Sequence, residues 1–240
     1  MPKNQRISGT DALALLNGGA VEVQGRMPYS SNVTLLVTVS LGDDSTSAIY
    51  KPFQGERPLW DFPDGLYRRE VAAWVLSEAL GWELIPPTVI RTDGPYGIGS
   101  LQLFIDADFQ QHYFPLSQRP ELKDVFVKFA TFDLIANNAD RKSGHVLIGR
   151  DGHLWGIDNG LTFHVEPKLR TVIWEFGGTK FSGAEADDIN RVIAQAPEIF
   201  RELIAQDEID ALIRRARYVL SKKSLPDIEP DMRPYPWPLV

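Results

Sequence analysis

The chain has no cysteine in its 240 residues. Disulfides, thiolate nucleophiles and zinc-thiolate centres are thereby excluded, any metal must use oxygen or imidazole ligands, and a reducing compartment fits. Positive charge is also short: Lys+Arg 25 against Asp+Glu 32 leaves a net charge of −7, so no global basic field holds nucleic acid or an anionic membrane. Long hydrophobic runs are missing as well. The stretch Val33 to Leu41 is interrupted by Thr and Ser, and the opening MPKNQRISGTDALALLNGG lacks the apolar core of a signal peptide. The expectation is a soluble cytoplasmic protein with no membrane insertion and no nucleic-acid partner.

Apolar residues make up 43% and charged residues 24%, which is ordinary globular composition and excludes disorder. The length suits one large domain or two small ones. Ser8 or Thr10 can cap a short helix from Asp11 to Leu16, which Gly18-Gly19 would stop. Strict alternation from Val33 to Leu41 predicts a half-buried strand, preceded by a strand Val21 to Arg26 and a turn through Pro28 to Asn32. A third strand, Ser47 to Pro52, follows the turn at Gly42-Asp43-Asp44. After a proline-broken loop, Arg68 to Leu80 reads as a helix ended by Gly81. Thr88 to Thr92 and Gly99 to Ile105 complete a small mixed sheet with that helix against it.

The second part reads as helical. Glu121 to Asn138 predicts a long apolar helix, and two short strands, Val146 to Ile148 and Leu154 to Ile157, join through Arg150-Asp151-Gly152. Ser182 with Glu185 forms a capping box, and Pro197 and Asp207 are expected to begin further helices. The stretch from Pro226 to Val240 is proline-rich and reads as an extended arm, folded back so that Tyr235 and Trp237 are buried. The fold class is α+β: a β-rich part over residues 1–105, a mainly helical part over 106–240, and a crevice between them.

The chemistry concentrates in Asn137-Asn138-Ala139-Asp140-Arg141-Lys142-Ser143-Gly144-His145 and Ile157-Asp158-Asn159-Gly160. Phosphoryl transfer needs one carboxylate to orient an acceptor hydroxyl and another to hold the metal that bridges ATP phosphates; Asp140 and Asp158 fit those places. Lys142 can lean on the transferring phosphoryl group as a point charge. Upstream, Lys51 on the third strand and Glu70 at the start of the next helix fall where a kinase keeps its phosphate-pairing lysine and that lysine's glutamate. The order of the four, rather than any one alone, carries the reading. Alone, Lys51 reads as a solvated strand lysine and Asp140-Arg141-Lys142 as a charged surface turn.

These two segments resemble the catalytic core of the phosphatidylinositol 3-/4-kinase superfamily, whose motif is Asp-Arg-His-x-x-Asn followed by Ile-Asp-Phe-Gly. The Asn-Asn-x-Asp approach is also similar to that of HipA-like bacterial kinases. Tyr50-Lys51-Pro52, Glu56 to Pro63, Arg69 to Ala73, Asn138 to Lys142 and Lys168 to Val172 resemble, across almost the whole chain, an actinobacterial group of phosphatidylinositol kinase-like proteins. The resemblance implies a two-lobed protein-kinase-like fold using ATP and Mg or Mn. It assigns Lys51 and Glu70 to the nucleotide, Asp140 to the acceptor and Asp158 to the metal. Two positions depart from it. His145 stands where the family has a metal-holding Asn, which favours Mn²⁺ or another transition metal, and the residue between Asp158 and Gly160 is Asn159 rather than an aromatic.

A glycine-rich phosphate loop is absent, leaving Ser30 and Ser31 with nearby backbone N–H groups to grip phosphates. His145 is equally compatible with a second metal ligand and a buried histidine donating to a carbonyl. Leu101 to Ile105 lies where an adenine ring would sit, and Lys168 to Trp174 where an anionic substrate would. The acceptor remains open between protein, lipid and small alcohol. A nucleotide-binding scaffold without turnover and an AMP transferase are the alternatives.

Overall fold

The computed structural model describes residues 9–28 and 32–240. Ser8, and with it the Tyr29-Ser30-Ser31 part of the expected turn, lies outside the described residues. Helix α1, Gly9–Gly18, gives way at Gly19 to strand β1, Ala20–Arg26. A side chain at Gly19 would meet Val39 and the Leu15 carbonyl inside van der Waals contact, so glycine lets the helix end against the sheet. Strands β2, Leu35–Leu41, and β3, Asp44–Pro52, continue the meander. Alternation decides their faces: Val37, Val39, Ala48 and Tyr50 are fully buried with Leu101 and Leu16. The opposite face of β3 carries Ile49 and Lys51, the latter paired in register with Ser100.

Helix α2, Leu66–Leu80, follows, and Gly81 closes it in the left-handed region. Glu56 accepts hydrogen bonds from the backbone N–H of Gly65, Leu66 and Tyr67 at 3.0, 3.0 and 2.7 Å. One distant carboxylate thus satisfies donors that a helix N-terminus leaves orphaned. Strands β4, Thr88–Gly94, and β5, Gly97–Leu103, finish a five-stranded sheet in the order β1-β2-β3-β5-β4. All its neighbours are antiparallel, which corrects the mixed sheet expected from sequence: each connection is a hairpin or passes over α2 without demanding a parallel crossover.

The remainder is largely helical. Helix α3, Tyr113–Leu116, is one turn; α4, Lys123–Ala136, is shorter at both ends than the apolar pattern implied. A 3₁₀ turn at Pro120–Leu122 precedes it, and Asn137 ends it in the left-handed conformation. The hairpin of β6, Val146–Ile148, and β7, Leu154–Gly156, is followed by α5, Gly183–Ile199, and α6, Gln206–Lys222. Ser182 and Glu185 form the expected capping box. Pro197 does not begin a helix but lies within the last turn of α5. A second core joins α2, α4, α5 and α6 through Leu76, Leu80, Phe129, Phe132, Ile189 and Leu212. Truncating one such leucine costs about 2–5 kcal/mol.

The tail from Pro226 folds back and pairs through its backbone with the segments around Ser143 and Thr171. Ser143 N–H donates to Leu239 O at 2.7 Å and Thr171 N–H to Pro234 O at 3.2 Å. Backbone pairing anchors it, so the expected burial of aromatic area fails: Trp237 is 87% exposed and Tyr235 44%. Among the described residues no helix is long and apolar enough to cross a membrane.

Candidate active site

Lys51 projects from β3 between two carboxylates. Its ammonium hydrogen-bonds Glu70, one turn into α2, and stands 2.7 Å from Asp158 Oδ1 in the loop after β7. Burial opposes the Lys51 charge, but Asp158 and Glu70 more than offset that and hold its pKa above the ordinary lysine value. Lys51 in turn keeps the Asp158 carboxyl well below the usual carboxylate range, against the effect of burial. Glu70 spends its other oxygen on the Asn159 N–H at 2.9 Å, so α2 and the Asp158 loop are tied at two points.

Asp158 has a left-handed backbone, φ 57°, which Asn and Asp tolerate better than other side chains. His145 approaches from the opposite side, with Nε2 3.4 Å from Asp158 Oδ2. Its Nδ1 lies 2.9 Å from the Asp140 carbonyl and 3.4 Å from the Lys142 N–H, while Nε2 faces the Asp158 carboxylate. Burial pushes the imidazole down to about 4, against the pull of Asp158, and keeps it neutral. An imidazole nitrogen and a carboxylate oxygen thus face each other, atom types that a divalent metal can use as ligands. Of its two nitrogens, Nδ1 lies beside a carbonyl and Nε2 beside Asp158. Among the described residues no group of three or more acidic, histidine or cysteine side chains is arranged to hold a metal. A bound ion would draw its further ligands from phosphate oxygens and water, as hard cations commonly do.

Asp140 lies at the end of the loop after α4, and Lys142 Nζ stands 3.0 Å from its Oδ2. Burial raises the Asp140 pKa and Lys142 opposes the rise. Beneath the loop is a network that no spacing in the sequence announced. Arg141 is fully buried, not a surface turn: it pairs with the equally buried Asp133 at 3.0 Å, and donates to Ile157 O at 3.1 Å and Asn159 Oδ1 at 2.7 Å. Asn138 bridges the Asp133 carboxylate and the Asp140 N–H, each at 3.0 Å. Asn159 is therefore a polar bolt, a role an aromatic at that position does not fill. The one sequence signal was Asp133 itself, an acid in the last turn of an otherwise apolar helix. Asn137 separates from its neighbour in function, since its side chain holds the His164 and Glu166 carbonyls and the Lys168 N–H.

Two cavities meet at Lys51 and Asp158. One, of about 220 Å³, is lined by Ile49, Leu103, Ile105, Leu147 and Ile157 with His145 at its edge. Leu101, the first residue of the segment expected to face adenine, points instead into the sheet core. The other, of about 230 Å³, is lined by Asp140, Glu70, Glu56, Arg57, Leu59 and Gly160. Ser30 and Ser31 lie outside the described residues. Lys168 is committed to Asp61 at 3.1 Å and Trp174 is buried, so of that basic segment only Arg170 stays exposed.

No family model matches the chain. The solved structure of hydra Fam20 with sugar superposes with a TM-score of 0.57 at 13% identity, covering 91% of this chain and 88% of that one, so the two chains share a mixed α+β fold. Phosphatidylinositol 4-kinase gamma 4 of Oryza sativa subsp. japonica is 30% identical over 158 residues, 49% of this chain and 27% of the plant protein's length. Protein Rv2133c of Mycobacterium tuberculosis is 39% identical over 269 aligned positions covering 95% of each chain, and the present chain belongs to its family.

Proposed function

We propose that this protein is an ATP-dependent phosphotransferase, with residues 1–105 and 106–240 as the two lobes of one kinase-like domain. The observation that carries the reading is Lys51, held between Glu70 and Asp158 at the junction of an apolar cavity and a polar one. The apolar cavity takes the adenine, which needs a dry slot of about this size. Lys51 lies on the path from there to Asp140 and pairs the phosphates, while Glu70 keeps its ammonium in place. Asp158 and His145 hold the divalent metal, whose chemistry is to neutralise charge on the phosphates. Imidazole in the donor set favours Mn²⁺ over Mg²⁺.

Asp140 accepts the proton of the acceptor hydroxyl, and Lys142, resting on Asp140, is within reach of the transferring phosphoryl group. The acceptor oxygen forms its bond to the γ-phosphorus as the bond to the ADP oxygen breaks. Incubation with ATP labelled at the γ or the α position, with Mn²⁺ or Mg²⁺, tests this. Release or transfer of γ label only, lost in Asp140→Asn, is the expected result. Transfer of α label to protein identifies an AMP transferase, and bound ATP without turnover identifies a nucleotide-binding scaffold; either outcome overturns the kinase reading.

A further inference from the structure

Arginines hold helix α2 near both of its ends. At the C-terminal end Arg191 of α5 donates to Ala79 O and Leu80 O, each at 3.1 Å. At the end nearest the site, Arg69 forms a buried ion pair with Glu208, the third residue of α6, and also donates to Thr162 O. Glu208 is itself fixed, since its other oxygen accepts the Ala205 N–H at 3.0 Å. Because α6 packs on α4 and α5, the anchor at this end is the C-terminal helical core.

Arg69 directly precedes Glu70. Successive residues of a helix stand about 100° apart around its axis, so these two side chains leave α2 in different directions. Both nevertheless return to one short segment. Glu70 accepts the Asn159 N–H at 2.9 Å, Thr162 Oγ1 donates to Asn159 O at 2.7 Å, and Thr162 O accepts from Arg69. A helix tied by one side chain can still turn about its axis; tied by two at that angle, it cannot turn without breaking one of them.

Stability is a poor explanation for the pair, because the cost of taking two charges out of water offsets much of their attraction, and apolar residues of similar volume commonly serve as well. Apolar packing is also incomplete at this place: a cavity of about 850 Å³ is lined by Tyr67 and Arg69 of α2 and by Leu203, Ile204 and Glu208. What the pair supplies is the direction in which α2 faces.

We infer that Arg69 and Glu208 are positioning residues: through their ion pair α6 fixes the rotation of α2, and with it the point at which Glu70 meets Lys51 and the Asn159 N–H. The effect on turnover rests on the kinase reading; the effect on Glu70 does not.

The test is amide-resolved hydrogen exchange by NMR on the full chain, followed by kinetics. The Asn159 N–H reports its bond to Glu70, and the Leu103 N–H, which donates to Pro87 O at 2.9 Å in the sheet, serves as the control. In Arg69→Met, Asn159 should exchange about tenfold or more faster than in the wild type while Leu103 stays within about twofold. Arg69→Lys, which keeps the charge but not the fork, should fall between them. Arg69→Met/Glu208→Gln, free of an orphaned buried charge and still able to cap Ala205, should behave like Arg69→Met. Turnover should show the same dependence: Arg69→Met lowers kcat about tenfold with KM for ATP moved less than about threefold, yet adds less than about twofold to the loss in Glu70→Gln. Equal acceleration of Asn159 and Leu103, no acceleration of either, or loss of the folded state in every variant would make the pair structural and overturn the inference. Turnover losses that multiply in the Glu70→Gln background would also overturn it, since the pair would then act elsewhere. A folded wild type without turnover removes the kinase reading alone, and the Asn159 exchange rate still decides whether α6 positions Glu70.

Discussion

Lys51 Nζ lies 2.7 Å from Asp158 Oδ1, a contact that joins the middle of the N-terminal sheet to the loop after the β6–β7 hairpin, 107 residues along the chain. The same ammonium holds Glu70, whose side chain is only 4% exposed. Two carboxylates from different elements therefore share one cation, and each depends on it.

Replacing Lys51 by Met leaves Glu70 buried without its charge partner. The expected loss is about 1–3 kcal/mol of stability, measured by urea unfolding, and about 100-fold or more in turnover. In Lys51→Met/Glu70→Gln the stability loss should be smaller than the sum of the single losses, because the orphaned charge is gone, while turnover stays low. Additive stability losses would show that the pair is not energetically coupled.

The buried pair of Asp133 and Arg141 supports the loop that carries Asp140. Neither side chain is exposed, so Arg141→Met strands a carboxylate and should cost about 3–5 kcal/mol. Asp133 already has a raised pKa from burial, opposed by Arg141, so loss of the arginine lets it take up a proton more easily. Arg141→Met should therefore recover part of its stability at mildly acid pH relative to pH 7. An identical deficit at both would contradict the assignment.

His145 gives the wild type a pH dependence of known sign. Its pKa is about 4 in the folded chain and about 6.5 when unfolded, so between these values the unfolded state binds more protons. Stability from this group is fully present above pH 6.5 and falls as pH drops toward 4, by at most about 1.4 kcal/mol per pH unit. Urea unfolding of wild type and His145→Asn at pH 7, 5.5 and 4.5 measures it. The two curves should diverge only below pH 6.5; parallel curves would rule out a neutral buried imidazole.

The same substitution tests the metal. With an amide oxygen in place of imidazole nitrogen, the ratio of Mn²⁺-supported to Mg²⁺-supported turnover should fall about tenfold. An unchanged ratio would place His145 outside the metal's ligand set.

The sequence was legible where local pattern decides structure. Period-two alternation marked β2, the glycine after α2 marked its end, and motif order brought Lys51, Glu70, Asp140 and Asp158 to notice; the fold brings these side chains to one place. What stayed hidden depends on contacts distant in sequence. Glu56 caps α2 from outside the helix, and Arg141 reaches Asp133 across a turn, with no periodic signal for either. Trp237 misled because composition registers the area a side chain offers, not whether neighbours exist to cover it.

Calorimetric titration of ATP with Mn²⁺ into the wild type and Asp158→Asn tests the central assignment most directly, since Asn tolerates the left-handed backbone at that position and removes only the charge. Metal-dependent binding in the wild type, lost in a variant that remains folded by circular dichroism, is the predicted result. Undiminished binding in Asp158→Asn, or binding indifferent to metal, would contradict it.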